Sequence, residues 1–286
     1  MEFLDAVKII IIGIIEGITE WLPISSTGHI MLFEHFFPLS DAFSEGFKEA
    51  FDYVIQLGAI IAVPIIFWGR LFPFKREEQS NELGKRKIVV KPGTFSLWGK
   101  VVVACIPAVI ALVVDKLFDK LSGNARIIVI AAMLMIYGVA FIIIERLHKN
   151  VKPRVDTIDE LSYKDAFLIG LFQVLAAVPG TSRSGVTIIG GLLIGTSRLV
   201  ATEFTFFLAI PVMVGASGYK LLKFALSGAS FTSAEISALI LGSIVALAVS
   251  VFIVKFLTDF VKKHDFTVFG WYRIVLGALV LILLFV

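Results

Sequence analysis

The sequence predicts an all-α membrane protein with several spanning helices. Of its 286 residues, 58% are hydrophobic and 17% are charged, and the mean hydropathy of +0.93 lies above the range of soluble globular proteins. Apolar stretches recur at the length that a helix needs to cross a bilayer. The alternating strands of an outer-membrane barrel are absent. Because only helices and closed barrels satisfy the backbone in lipid, we expect helices.

Six apolar stretches have the length of a spanning helix, and two others are interrupted. The six lie at about 47–69, 95–114, 125–144, 199–222, 234–257 and 267–286. The interrupted stretches, 4–37 and 162–195, contain polar turns at 23–28 and 179–185. Irregular backbone at membrane depth is tolerated only where protein or a watery cavity surrounds it. We therefore predict two re-entrant helical hairpins whose breaks face one cavity.

The two hairpins resemble each other in sequence. GIIEGITEWLPISSTG and GLFQVLAAVPGTSRSG share a Gly, a Glu or Gln three residues later, a Pro and a hydroxyl-rich run that ends in Gly. Each is followed by three predicted spans, so a second copy starts from the opposite side of the membrane. We predict one membrane domain, 1–286, built as an inverted repeat of about 1–147 and 158–286.

Loop charges orient this repeat. Basic residues concentrate in the loops at 71–93, 145–165 and 255–265, whereas 224–234 contains none and the remaining loop has only Lys116, Lys120 and Arg126. The positive-inside rule places the three basic loops in the cytoplasm, which leaves both termini outside. The apolar run at 9–15 lacks a small-residue cleavage site, so we expect it in the mature protein.

Composition also argues against several classes of function. Cys105 is the only cysteine, so the sequence predicts no intramolecular disulfide and no cysteine-rich metal site. The net charge is a modest +3, and basic residues lie in loops where membrane topology explains them. We expect no nucleic-acid partner.

The first break follows two acidic residues, Glu16 and Glu20. A charged group at mid-membrane costs on the order of 3 kcal/mol, so it predicts a functional site. Their i,i+4 spacing places both carboxylates on one helix face, where they repel each other unless a cation lies between them. This geometry suits a divalent metal or a proton acceptor. The alternative is that both flank a water-exposed turn near the interface.

The second break contains an anion-binding pattern around Arg183. A Gly- and Ser-rich turn before a helix presents free backbone N–H groups, and an arginine adds a planar fork for phosphate oxygens. Thr181, Ser182 and Ser184 add hydroxyl donors. The Walker A pattern is absent. The alternative is that Ser182 only caps the helix and that Arg183 pairs with Glu16 or Glu20.

The first break also supplies nucleophile candidates. Ser26 and His29 are spaced i,i+3 and share a face if a helix begins near Ser25. His29 would then activate Ser26 or attack phosphorus itself. A lone histidine is more often a packed polar residue, but this one lies in the break that mirrors the arginine motif.

Two motifs resemble signatures of the undecaprenyl-diphosphate phosphatase family, also called the BacA or UppP bacitracin-resistance proteins. EGITEWLPISSTGH at 16–29 contains the (E/Q)xxxE pattern as Glu16 and Glu20, and PGTSRSGVT at 179–187 matches PGxSRSxxT. The similarity extends over the chain, including FDYVIQLGAI at 51–60 and EFTFFLAIPVM at 203–213.

The resemblance implies a bacterial plasma-membrane enzyme that removes the terminal phosphate of undecaprenyl diphosphate and returns the carrier to peptidoglycan synthesis. It implies Mg2+ or Ca2+ as cofactor, bacitracin resistance and a site that opens to the outer face. Glu16 and Glu20 become metal or proton-transfer carboxylates, and Ser26 or His29 the nucleophile. The predicted catalytic set is Glu20, Ser26, His29 and Arg183. The predicted diphosphate ligands are Ser25, Thr27, Gly180, Thr181, Ser182, Arg183, Ser184 and Thr187.

Two other classes of function compete with a phosphatase. Inverted repeats with broken helices are a transporter architecture, so a lipid-phosphate flippase or anion carrier is the main alternative. A structural scaffold would leave the costly charges in the breaks unexplained. The expected partners are the polyprenyl diphosphate and membrane lipids, and the sequence leaves a homodimer open.

Overall fold

The computed structural model describes residues 2–78, 86–118, 121, 123–149, 151–228 and 230–285. Lys85 in the basic loop at 71–93 and Lys120 lie outside the described residues. The described chain is mostly helical, at 76%, as the sequence predicts. The helices are α1 (Phe3–Thr19), α2 (Ser26–Phe36), α3 (Glu45–Ile60), α4 (Ala62–Leu71), α5 (Pro92–Cys105), α6 (Ala108–Phe118), α7 (Gly123–His148), α8 (Tyr163–Val174), α9 (Arg183–Leu193), α10 (Arg198–Leu226), α11 (Ser233–Phe260) and α12 (Thr267–Ile282).

Within the described residues, five helical segments are long and apolar enough to cross a membrane. They are Glu45–Leu71, Pro92–Ala111, Gly123–His148, Arg198–Leu226 and Ser233–Phe260. The first joins α3 to α4 and the second joins α5 to α6. The sixth predicted span, 267–286, is shorter than expected, since α12 has 16 residues. The protein is therefore a polytopic helical membrane protein.

Prolines explain where the first two spans are interrupted. Pro64 lies in the first turn of α4, where a helix does not use the N–H that proline lacks. Pro107 lies directly before α6 and lacks the N–H that would continue the hydrogen bonds of α5, although Ile106 before it keeps α-helical dihedrals. Both spans are therefore two helices in series and not one uninterrupted rod.

The loop after α4 contains a β-hairpin that the all-α prediction did not include. Strand β1 (Phe74–Glu78) pairs antiparallel with β2 (Arg86–Val90), with Phe74 opposite Val90 and Lys75 opposite Val89. The β-branched residues of the RKIVV segment favour extended backbone. Outside this loop, the described elements are helical, with a 3-10 turn at Leu175–Ala177.

Glycines allow the broken hairpins to approach the spans closely. Helix α1 packs on α11, where a Cβ on Gly13 would lie 2.9 Å from the carbonyl oxygen of Gly242. Helix α8 packs on α5, where a Cβ on Gly170 would lie 2.2 Å from the carbonyl oxygen of Ala104. Helices α7 and α12 pack against each other, and many large apolar side chains face outward, as expected of a lipid-facing surface.

Candidate active site

Both helix breaks exist, and they have the same unusual backbone conformation. Ser25 has φ 75° and ψ 101°, and Ser182 has φ 71° and ψ 115°. They are the only described residues other than glycine with positive φ. Each caps the next helix by accepting a hydrogen bond from the backbone N–H three residues later, that of Gly28 or Gly185. Such strained residues concentrate at functional sites, so the paired breaks are the first candidate.

The residues that follow the two strained serines converge on one carboxylate. Ser26 is the first residue of α2, and Arg183 is the first residue of α9. Ser26 Oγ donates to Glu20 Oε2 at 3.1 Å, and Arg183 Nη2 pairs with Glu20 Oε1 at 2.7 Å. The Arg183 and Glu20 side chains are 13% and 7% exposed. The structure thus joins a hydroxyl, a carboxylate and a guanidinium across the two hairpins.

Three buried polar groups around this arrangement have no hydrogen-bond partner among the described residues. They are Glu16 Oε1, Thr181 Oγ1 and Arg183 Nη1. An unpaired buried polar group costs about 1–3 kcal/mol, so such groups indicate a missing water, ion or ligand. Arg183 in particular keeps one guanidinium nitrogen free while the other pairs with Glu20.

The other predicted diphosphate hydroxyls are engaged in holding the breaks together. Ser184 Oγ donates to the carbonyls of Glu20 and Leu22, which ties the second break to the first. Thr187 donates to the carbonyl of Arg183, accepts from Thr205 and is buried. Ser25 and Ser182 are occupied as helix caps. Ser184 and Thr187 therefore direct their hydroxyl protons to the protein, and Ser25 and Ser182 accept the capping bonds through their hydroxyl oxygens.

His29 is placed away from Ser26 Oγ. Its Nδ1 lies 2.7 Å from the carbonyl oxygen of Ser25, and its Nε2 lies 2.7 Å from the hydroxyl of Tyr272, whose ring stacks on it. Both ring nitrogens are therefore engaged with partners other than Ser26. The structure brings Ser26 to Glu20 and brings His29 to α12.

Arg273, which sequence reasoning missed, connects both breaks. It is fully buried, and its guanidinium donates to the carbonyls of Pro23 at 3.1 Å, Gly180 at 3.1 Å and Thr181 at 3.0 Å. Gly180, a predicted diphosphate ligand, thus presents its carbonyl to Arg273. An arginine inside the apolar run of α12 carries the same signal as Arg183, because a charge in a spanning segment predicts function.

A cavity of about 440 Å³ opens beside the first break. Ser26 and Thr27 line it, so Thr27 is the predicted diphosphate ligand that does reach open space. Other polar side chains in its walls come from α1, α2, α3 and α7. They include Glu16, Glu34, Asp52, Gln56 and Arg126. Sequence reasoning named only Glu16 among them as a site residue, and it named Arg126 only as a loop charge.

The site fits a divalent cation through Glu16. Its Oε1 atom is buried and unpartnered in the cavity wall, whereas both oxygens of Glu20 have partners, Arg183 and Ser26. Among the described residues, no three His, Cys, Asp or Glu side chains converge as a metal-holding group. An ion such as Mg2+ takes one or two protein carboxylates and keeps water or phosphate as its other ligands, so Glu16 would supply one ligand and leave the others to them.

Fold and site together define a class of protein: a polytopic helical membrane protein with a buried hydroxyl, carboxylate and arginine arrangement between two broken hairpins. The chain belongs to the family of the bacitracin resistance protein BacA, whose sequence model matches residues 9–279.

Named relatives match nearly the whole chain. A protein of Enterococcus faecalis called undecaprenyl-diphosphatase is 54% identical over 284 residues, which cover 99% of this chain and 98% of the relative. Proteins of the same name from Streptococcus gordonii and Lachnoclostridium phytofermentans are 53% identical over 283 residues and 51% identical over 280. They cover 96% and 97% of those relatives, and 99% and 98% of this chain.

Proposed function

We propose that this protein is a membrane phosphatase that hydrolyses undecaprenyl diphosphate to undecaprenyl phosphate and inorganic phosphate. The reaction returns the lipid carrier to cell-wall synthesis and makes cells more resistant to bacitracin. The convergence of Ser26 and Arg183 on Glu20 is the observation that carries the proposal. It supports the assignment of Ser26 as nucleophile, Glu20 as its base and Arg183 as phosphate clamp, in a chain whose relatives are called undecaprenyl-diphosphatase.

In the first step, Ser26 attacks the terminal phosphorus. The incoming phosphate competes with Glu20 for Arg183, whose free Nη1 is available for a phosphate oxygen. Glu20, released from the ion pair, takes the proton of Ser26 Oγ. The new bond joins Ser26 Oγ to phosphorus, the bond from phosphorus to the bridging oxygen breaks, and undecaprenyl phosphate leaves as an anion.

In the second step, water attacks the phosphorus of phosphoserine. The bond between phosphorus and Ser26 Oγ breaks, and Glu20 returns its proton to Ser26. Inorganic phosphate leaves as dihydrogen phosphate, with the oxygen and both protons of water. Arg183 stabilises the charge on the phosphoryl oxygens in both steps, since phosphoryl transfer depends chiefly on positioning and electrostatic stabilisation. A divalent cation at Glu16, Mg2+ or Ca2+, would neutralise further phosphate charge when bound.

The finer architecture is part of the proposal: six spans and two re-entrant hairpins, arranged as an inverted repeat of about 1–147 and 158–286. Ser25 and Ser182 share one conformation, and α2 and α9 each have 11 residues. Gly13 brings α1 against the second span of the other half, and Gly170 does the same for α8. These matched features support a duplicated unit.

We place the site on the outer face of a bacterial plasma membrane, with both termini outside. Arg126 of the cavity lies in the first turn of the third span, next to a loop that the charge pattern assigns to the outside. The polyprenyl tail of the substrate would extend along the lipid-facing helices, whose outer surface is apolar.

Release of inorganic phosphate from undecaprenyl diphosphate in detergent, with Mg2+ or Ca2+, tests the activity. We expect Arg183→Ala and Glu20→Gln to lower kcat/KM at least about 100-fold, because each removes transition-state stabilisation or proton transfer. Arg146→Ala and Glu49→Gln are matched controls on exposed positions outside the site and keep full activity. A folded wild-type protein that releases no phosphate, but moves the lipid across sealed vesicles, is a flippase instead.

Comparing Ser26→Ala with His29→Ala in the same assay identifies the nucleophile. We expect Ser26→Ala to abolish phosphate release and His29→Ala to leave measurable turnover, because the structure engages His29 with Tyr272 and not with Ser26. The reverse order of effects would assign the attack on phosphorus to His29.

A further inference from the structure

Polar side chains without partners line two sides of the cavity beside the first break. Glu16 of α1, Asp52 and Gln56 of α3, Glu34 of α2 and Arg126 of α7 are five of its polar residues, and the others are Ser26, Thr27 and His35. Among the described residues, none of these five side chains forms a hydrogen bond or a close ion pair. Of the five, Glu16 is buried with an unpartnered Oε1, whereas Asp52 and Arg126 are exposed to the cavity. Because buried polar groups in proteins are nearly always satisfied, Glu16 indicates a ligand in this cavity.

The α3 side of the cavity is a fixed feature of that helix. Asp52 and Gln56 are spaced i,i+4 and share a face, while Phe51 and Ile55 beside them are fully buried in the core. Helix α3 also packs against α1, which carries Glu16. The packing of Phe51 and Ile55 therefore directs Asp52 and Gln56 into the cavity that Glu16 lines.

The charge in and beside the cavity does not suit a diphosphate without a further cation. The cavity holds the carboxylates Glu16, Glu34 and Asp52 with Arg126 and His35. Glu20 lies behind Ser26 with Arg183 as its partner. A diphosphate would add negative charge to this excess of carboxylates. Burying like charges together is costly unless a cation lies between them.

We infer that Glu16, Asp52 and Gln56 form a binding site, or seat, for a hydrated divalent cation. Glu20 is not one of the ligands of this cation. The three side chains offer hard oxygen ligands, which Mg2+ and Ca2+ prefer. Two carboxylates and one amide leave coordination positions for water and for a phosphate oxygen. Glu20 stays available as the base of Ser26. The catalytic use of this seat rests on the proposed function, but the seat itself does not.

Binding of Mn2+ to the detergent-solubilised protein without lipid substrate tests the seat. Electron paramagnetic resonance of free Mn2+ gives the Kd and the stoichiometry. We expect Glu16→Gln and Asp52→Asn to weaken the site by at least about tenfold, the scale of losses around metal ligands. Glu20→Gln leaves the Kd within about threefold, as does Glu49→Gln, the matched control on an exposed position of α3. Size-exclusion profiles confirm that each variant is folded.

Two results would overturn the proposal. Loss of Mn2+ binding in Glu20→Gln but not in Asp52→Asn would place the ion between Glu16 and Glu20. The absence of saturable Mn2+ binding in the wild-type protein would show that the proposed seat does not exist. Phosphate release measured on the same samples separates the cation site from the proposed activity. Mn2+ binding without phosphate release would reject the phosphatase and keep the seat. Phosphate release without Mn2+ binding would reject the seat and keep the phosphatase.

Discussion

At the residue scale, Arg273 fixes the positions of the two breaks relative to each other. Its guanidinium reaches carbonyls of both breaks and, on α7, those of Met133 and Leu134. We expect Arg273→Met to lower the free energy of unfolding by about 3 kcal/mol or more, because several buried carbonyls lose their donor at about 1–3 kcal/mol each. Phosphate release should fall as well, since Ser26 and Arg183 follow the carbonyls that Arg273 fixes.

Denaturation in detergent, followed by circular dichroism, measures this loss. Arg273→Lys retains the charge but not the planar fork, so we expect it to be destabilised nearly as strongly. Arg146→Met, at an exposed position, serves as the control and should unfold with wild-type stability. If Arg273→Met unfolds at the same denaturant concentration as the wild type, Arg273 does not hold the breaks.

Sequence reasoning identified some of the site residues and missed others for a physical reason. Glu16, Glu20 and Arg183 were predicted because a charge in an apolar segment is costly, and the structure brings Glu20 and Arg183 together. Arg273 and Asp52 obey the same rule but lie in stretches with no visible break. The directions of the hydroxyls of Ser184 and Thr187 depend on neighbours from other helices, which no local pattern contains.

At the element scale, the second break depends on Gly180. Its φ is 84°, and a Cβ there would lie 2.6 Å from backbone atoms of Ile130 in α7. We expect Gly180→Ala to cost about 3 kcal/mol of stability, the sum of left-handed strain near 1 kcal/mol and steric displacement of α7. Phosphate release should decline with it, because Arg183 begins the helix that this turn positions.

Gly228→Ala is the control for this prediction. Gly228 has a similar φ of 76°, but a Cβ there would meet nothing within 4 Å. Gly228→Ala should therefore lose only the free energy of the left-handed strain, about 1 kcal/mol, in the same detergent denaturation measurement. Equal losses of stability in Gly180→Ala and Gly228→Ala would show that contact with Ile130 adds nothing to the cost of Gly180→Ala.

The sequence predicts helix breaks better than it predicts loop structure. Pro, Gly and hydroxyl residues interrupt apolar runs at both hairpins, and the structure has breaks at both places. The β1–β2 hairpin was missed because short strands depend on pairing with a partner segment and not on their own residues alone. The breaks at Ile61 and near Pro107 were also missed, since hydropathy alone does not distinguish one helix from two in series.

At the scale of the whole molecule, ion pairs tie the spans together at one end. Arg154 pairs with Asp165 at 2.6 Å, Arg198 pairs with Glu145 at 2.5 Å, and Arg70 pairs with Glu203. All three lie at or near the basic loops that the charge pattern assigns to the cytoplasm. The cavity with Arg126 lies beside the loop before α7, which the same pattern assigns to the outside.

An inverted repeat makes a prediction about the two halves together. With three spans in each half, the start of α7 and the start of α11 must lie on the same side of the membrane, outside. In a Cys105→Ala background, a membrane-impermeant maleimide should therefore label Asn124→Cys and Ser230→Cys in intact cells. Lys152→Cys and Lys263→Cys should react only after permeabilisation. All four positions are exposed, so access and not burial decides the labelling. Labelling of Asn124→Cys but not Ser230→Cys in intact cells would mean that the halves do not invert, and the six-span count would then be wrong, whereas the chemistry proposed for Ser26, Glu20 and Arg183 would stand.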